Sequence, residues 1–176
     1  MRNLCFASGL ALFFMASVVS SQAADDQSAP QADEAAIQRT RDKVNLLDNI
    51  FKQTVVLITD KYVHGEDDFA AGSAAVLLFK NISEAGDDKV RLIDATGTPY
   101  DEDNVARDAF EKVGIKKLKA GAKRHEEVEM QDDQAVLRVL TPVPVVMEKC
   151  IMCHAHYADV PAGQAIGAIS YTVPIK

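Results

Sequence analysis

Gln134-Ala-Val-Leu-Arg-Val-Leu-Thr-Pro-Val143, followed after an interruption by Ala165-Ile-Gly-Ala-Ile-Ser-Tyr-Thr-Val-Pro-Ile175, reads as two extended segments. In the second, Ile169, Tyr171, Val173 and Ile175 recur at every other residue, the period of a strand with one face against a core. The first segment pairs with residues 123–130 as a hairpin around Gln131-Asp132-Asp133. Lys89-Val-Arg-Leu-Ile-Asp94, closed by the turn Ala95-Thr-Gly-Thr-Pro99, adds another short strand. The expectation is a sheet of about four antiparallel strands with a segment inserted between the last two.

Outward from these strands the period becomes helical. Ile37, Val44, Leu47, Phe51, Val55, Ile58 and Tyr62 recur at steps of three, four or seven, with Arg39, Arg41, Asp42, Asn45, Asp48, Lys52 and Gln53 on the other side. This predicts one long helix over 37–62, ending near His64-Gly65. A second helix is expected over 69–83, opened by the acidic turn Glu66-Asp67-Asp68 and closed by Gly86. Its first half, Ala70-Ala-Gly-Ser-Ala-Ala75, permits close approach of a neighbour, either a flat ligand face or, the simpler reading, another helix. A third helix is expected over 104–118, with Lys116, Lys117 and Lys119 favourable at its C-terminal dipole before Gly121. Helices, then strands with a helical insertion, make an α+β domain with one sheet.

The N-terminal stretch differs in kind. Met1-Arg2 is basic, 4–19 is apolar and uncharged, and Ser20-Ser21-Gln22-Ala23-Ala24 is small and polar before Asp25-Asp26. That order is a secretory signal, so residues 1–23 are expected to be cleaved and the protein to be periplasmic or otherwise exported. The run is shorter than the ~20 residues of a spanning helix, so no stable membrane insertion is expected after cleavage. Residues 24–36 read as a polar, flexible leader and 37–176 as one domain, a size that can bury a sizeable core. Of 19 Lys and Arg, Arg2 leaves with the signal, and 18 basic against 26 acidic residues give a formal net charge of −8. Nucleic-acid phosphates do not favour such a surface. With 48% hydrophobic and 26% charged residues the composition is that of a globular protein.

Cys5 also lies in the signal, which leaves Cys150 and Cys153 in a compartment where thiols oxidise readily. Two residues separate them and His154 follows at once. This is the spacing of c-type haem attachment: one helical turn lets the two sulfurs reach adjacent pyrrole edges and form thioethers with the vinyl groups. His154 then offers an imidazole nitrogen to the iron. A thioredoxin-type pair has the same cysteine spacing but opens a helix beside a βαβ pattern, whereas Pro142-Val-Pro144-Val-Val-Met-Glu precedes this motif. Structural zinc would need two further ligands, and His125 and His156 match no common zinc spacing.

These residues also carry a family likeness. Leu46-Leu47-Asp48 in the first helix, Val90-Arg-Leu-Ile-Asp94-Ala-Thr-Gly97, Thr141-Pro-Val-Pro-Val-Val-Met-Glu-Lys-Cys150-Ile-Met-Cys153-His154 and Gly167-Ala-Ile-Ser-Tyr-Thr-Val-Pro174 together resemble the Tll0287-like haem domains. The resemblance covers nearly all of the mature chain. It implies a PAS-like fold with one covalent haem c, Cys150 and Cys153 as the thioether pair and His154 as the axial, iron-binding residue. Relatives can place a cysteine on the long N-terminal helix as second axial ligand, and residues 37–63 contain none.

The function expected is single-electron transfer with a redox partner protein, or haem-based sensing of redox state or a small gas (NO, CO or O2). The alternative is a haem enzyme such as a peroxidase or small oxyanion reductase, which would need an open iron and distal acid–base groups. By residue type Arg91, Arg138 and His125 are available, but surface or propionate-pairing roles suit the arginines and a solvated strand face suits His125. For the sixth iron position the choices are an open site bordered by the apolar face from Val44 to Tyr62, with the Tyr62 hydroxyl in reach, or ligation by His64. His156 is expected to be exposed. Met130, Met147 and Met152 carry thioethers, and Met147 and Met152 are expected to pack beside the ring.

Overall fold

The last strand organises the molecule, because its alternation sorts side chains to two helical layers. In the computed structural model, which describes residues 32–65 and 69–176, Ile169, Tyr171 and Val173 of this strand join one buried cluster. Ala168 joins another on the opposite face. The elements are α1 (Glu34–Tyr62), α2 (Ala71–Ala85), β1 (Lys89–Asp94), α3 (Ala109–Lys119), β2 (His125–Gln131), β3 (Gln134–Pro144), α4 (Glu148–Cys153), a 3-10 turn (Ala155–Asp159) and β4 (Ala165–Pro174). All strand pairs are antiparallel in the order β1-β4-β3-β2, so β4 is inserted between β1 and β3, with Leu92 and Thr141 flanking Ile169. The architecture is α+β, and α4 with its 3-10 turn forms the insertion between β3 and β4.

The β2–β3 hairpin turns on Asp132 and Asp133, whose φ values of 48° and 62° are the left-handed pair that matches strand twist. One sheet face carries α1 and α2. There Phe51 meets Phe79 edge-on with centroids 5.1 Å apart and stacks on Tyr171 at 6.4 Å, tying both helices to β4. Each fully buried side chain of this size contributes about 1.5–3 kcal/mol. Polar ties reinforce the contact: Asp48 accepts hydrogen bonds from the Tyr171 and Thr141 hydroxyls and from Lys52. Burial and the neighbouring Asp48 carboxylate push the Tyr171 hydroxyl far above the usual tyrosine range.

The other face carries α3. Gly114 is required there, since a Cβ would lie 2.8 Å from His125 Cδ2 and 2.9 Å from Leu140 Cδ2. Helix α3 begins at Ala109, five residues later than expected, because the carbonyls of residues 103–105 are engaged elsewhere. Arg91 donates to the Asp103 and Val105 carbonyls, and the Asp94 amide donates to that of Asn104. Asp108 then caps the helix by accepting the Glu111 amide. Helix α1 ends at Tyr62 and α2 extends to Ala85, with Gly86 as its C-cap. The expected signal, most of the leader and the turn Glu66-Asp67-Asp68 lie outside the described residues. No described helix is long and apolar enough to cross a membrane.

Candidate cofactor site

Residues three apart share a helix face, so α4 presents Cys150 and Cys153 to the same side. Both are free thiols, half-buried. The helix ends at Cys153 with His154 as its C-cap, whose amide donates to the Ile151 carbonyl and whose carbonyl accepts from the Tyr157 amide at 2.8 Å, starting the 3-10 turn. Tyr157 thereby stacks on the imidazole with centroids 4.6 Å apart, while Tyr100 approaches the same ring edge-on at 5.8 Å. Burial lowers the His154 pKa, helped by the adjacent His156 and opposed by Asp94, so the ring favours its neutral form. Burial, with Asp94 and Cys150 nearby, pushes the Tyr157 hydroxyl up to about 12.

Both thiols and the imidazole line one cavity of about 1540 Å³. That exceeds the ~300–1,000 Å³ of ordinary small-molecule sites. Leu92, Val143 and Ile169 of the sheet form its floor, Val55, Val56 and Thr59 of α1 one wall, and Ala71, Gly72, Ser73 and Ala75 of α2 another. Ala71, Gly72 and Ser73 therefore border a ligand-sized void, while Ala75 packs into the core with Val44 and Phe51 of α1, as the helix-packing expectation has it. Met147 and Met152 line the cavity beside the motif, as expected of residues flanking it.

Lys149 fixes α4 in place, a contact for which the sequence carries no spacing rule. Its ammonium donates to the carbonyls of Thr59, Asp60 and Val63 at 3.3, 2.7 and 2.8 Å, satisfying the C-terminal acceptors of α1. The thiol-bearing helix is thus anchored to the end of the long helix.

Several candidates lie elsewhere. His125 is buried, not solvated: it stacks on Phe110 at 4.7 Å on the α3 face, with Lys117 3.2 Å from its Nδ1. It cannot join Cys150 and Cys153 in a zinc set, and among the described residues no group of three potential ligands forms a metal site. Arg138, also buried, pairs with Asp108 at 2.7 Å and sits 4.2 Å over the Phe110 ring. Arg91 pairs with Glu111 at 2.6 Å. Neither arginine is a free cation at the cavity. Tyr62 is 73% exposed and Met130 points outward from β2. His64 follows the C-cap Val63 and is exposed, and His156 is exposed as expected. Of the described histidines, His154 is the one that lines the cavity.

The donor set fits a haem c: two thiols one turn apart, an imidazole beside them, and an apolar cavity wide enough for the macrocycle. Against known proteins, the Tll0287-like family model matches residues 16–174. Among solved structures the chain resembles the crystal structure of the cyanobacterial heme-protein Tll0287, with a TM-score of 0.56 at 13% identity, over 77% of this chain and 95% of that one. The likeness is one of fold. Among curated proteins, none matches.

Proposed function

The chain belongs to the Tll0287-like family, and from that premise we propose that it is an exported mono-haem c protein, held by thioethers from Cys150 and Cys153 with His154 as the axial base. The observation that carries the reading is the opening of both thiols and the imidazole onto one cavity with apolar or small walls. Bound there, haem c supplies an iron that changes by one electron and, where its sixth position is free, takes a diatomic gas. The chain's own residues do the rest. α4 aims the sulfurs, the depressed pKa of His154 keeps a lone pair available at neutral pH, and Tyr157 restrains the ring. The fold is read as PAS-like, and the basic, apolar, small-residue order of 1–24 supports a periplasmic location.

The walls contributed by α1 and α2 offer Val55, Val56, Ala71 and Gly72, and neither a histidine nor a thiol among their described lining residues. That favours an open or weakly held sixth position, and with it sensing of a gas such as NO, CO or O2. Single-electron exchange with a redox partner is the second reading. It is favoured by the absence of any buried residue in α4 and by an 85% exposed Tyr100 at the cavity rim, since a haem held there would have an edge near the surface.

Protein matured with a cytochrome c assembly system should retain its haem through acid-acetone extraction and give a two-thioether pyridine haemochrome. Haem that passes wholly into the organic phase removes the proposal. Carbon monoxide added to the reduced protein should shift the Soret band promptly. No response in wild type, with a response in His64→Ala, would instead give His64 as sixth ligand and favour electron transfer.

A further inference from the structure

The cavity is charged unevenly along its length. Its α4 end lies beside the C-terminal turn of α1, fixed by Lys149 on the carbonyls of Thr59, Asp60 and Val63. Lys52 lies two turns back along α1, about 10 Å at 1.5 Å per residue. The Phe51–Phe79 contact brings α1 and α2 together at this level, and Lys52 and Lys80 are the next residues along the two helices. Both line the cavity, and among its described lining residues the remaining cation is Lys149, which is engaged at the other end.

The two lysines are prepared differently. Lys52 Nζ donates to Asp48 Oδ2 at 2.9 Å, and Asp48 Oδ1 is held from the sheet by Tyr171 at 3.0 Å and by Thr141. An ammonium has three N–H donors, so Lys52 is positioned with donors to spare. Lys80 makes only a loose 3.9 Å approach to Glu84, both well exposed, and is free to swing. Asp94, Asp101 and Glu102 line the wall from the β1 side and would repel an anion there. A porphyrin tethered by its vinyl edge at Cys150 and Cys153 turns its two carboxylates to the opposite edge.

We propose that Lys52 and Lys80 are the propionate-binding residues of this cavity, with Asp48 positioning Lys52. The inference rests on the haem reading above and assigns the carboxylates of the bound group to the end of the cavity away from the thiols.

The test uses holoprotein whose covalent haem has been verified by acid-acetone extraction, with Lys52→Gln, Lys80→Gln and the double variant. Midpoint potential is followed spectroelectrochemically from about pH 5 to 9. Loss of the paired cations should destabilise the ionised propionates and favour the ferric state. The double variant should then show a new pH-dependent segment, and its reduction equilibrium at neutral pH should fall roughly tenfold, ~59 mV for a one-electron couple. Lys52→Arg should restore its share. Lys43→Gln, which removes a cation paired with Asp88 outside the cavity, should change neither quantity. A double variant with covalent haem, wild-type potential and wild-type pH profile overturns the assignment while leaving the haem reading intact. Failure of covalent attachment in wild type would remove both.

Discussion

The two faces of the sheet are built on opposite principles. Under α3, polar groups are buried around a shared carboxylate: Glu111 accepts from Arg91 at 2.6 Å, from the Arg107 amide at 2.8 Å and from Ser170 at 3.1 Å. Arg138 lies between Phe110, Asp108 and Glu129. No Cβ fits at Gly114. Under the ends of α1 and α2, by contrast, the same sheet faces a cavity of about 1540 Å³ lined largely by apolar and small side chains. Filled interiors are close-packed and rarely hold such voids. The difference teaches that the α3 face is scaffold and the α1–α2 face is site, so substitutions on the two should separate stability from ligand binding.

The strongest way to break that comparison is Glu111→Ala. It leaves Arg91 without its carboxylate and strands the Arg107 amide and the Ser170 hydroxyl, so urea denaturation should show a loss of about 3–5 kcal/mol, the cost of removing one partner of a buried pair. The Soret band of whatever protein folds should match wild type. A changed Soret band with unchanged stability would reverse the assignment of the faces.

Lys149→Met acts where scaffold and site meet. Removing the three donations to the end of α1 should cost roughly 1–2 kcal/mol and also lower the yield of covalent haem, because α4 loses its anchor. Denaturation and haemochrome yield are measured on the same preparation. A stability loss with full haem yield would show that Lys149 serves α1 alone.

The smallest effect is one of pH. Burial lowers the His125 pKa, reinforced by Lys117 and Arg138 and opposed by Glu127. The folded state therefore binds this proton less readily than the unfolded chain. Its contribution to stability is present above the unfolded value near ~6.5 and is lost as pH falls toward the lowered folded value. Thermal melts of the holoprotein should fall between neutral pH and about pH 5, less steeply in His125→Phe. Equal slopes would place the pH dependence elsewhere.

Buried faces are legible in the sequence where a period marks them and hidden where the partners are distant in the chain. Alternation of Ile169, Tyr171 and Val173 announces a buried strand face, and all three lie in the α1–α2 core. His125 misled because charged neighbours along β2 suggest solvent, whereas its burial comes from Phe110 and Gly114 of α3, brought against it only by folding. Arg138 misled in the same way, its partner Asp108 being the cap of α3. Tyr62, read as part of the inner face of α1, points to solvent because the cavity wall turns through Thr59 and Val63.

By itself the sequence determined the local matters. It set the helices and strands, the one-turn spacing of Cys150 and Cys153 with His154 behind them, and the family to which the chain belongs. These follow from neighbours within a few residues, whose geometry the backbone fixes. Only the tertiary structure decided that Ala71, Gly72 and Ser73 border a cavity, that Lys149 anchors α4 to α1, and that Lys52 and Lys80 line the same cavity. Such juxtapositions join residues far apart in the chain, and they arise from how two helices settle on a twisted sheet, which no local period encodes.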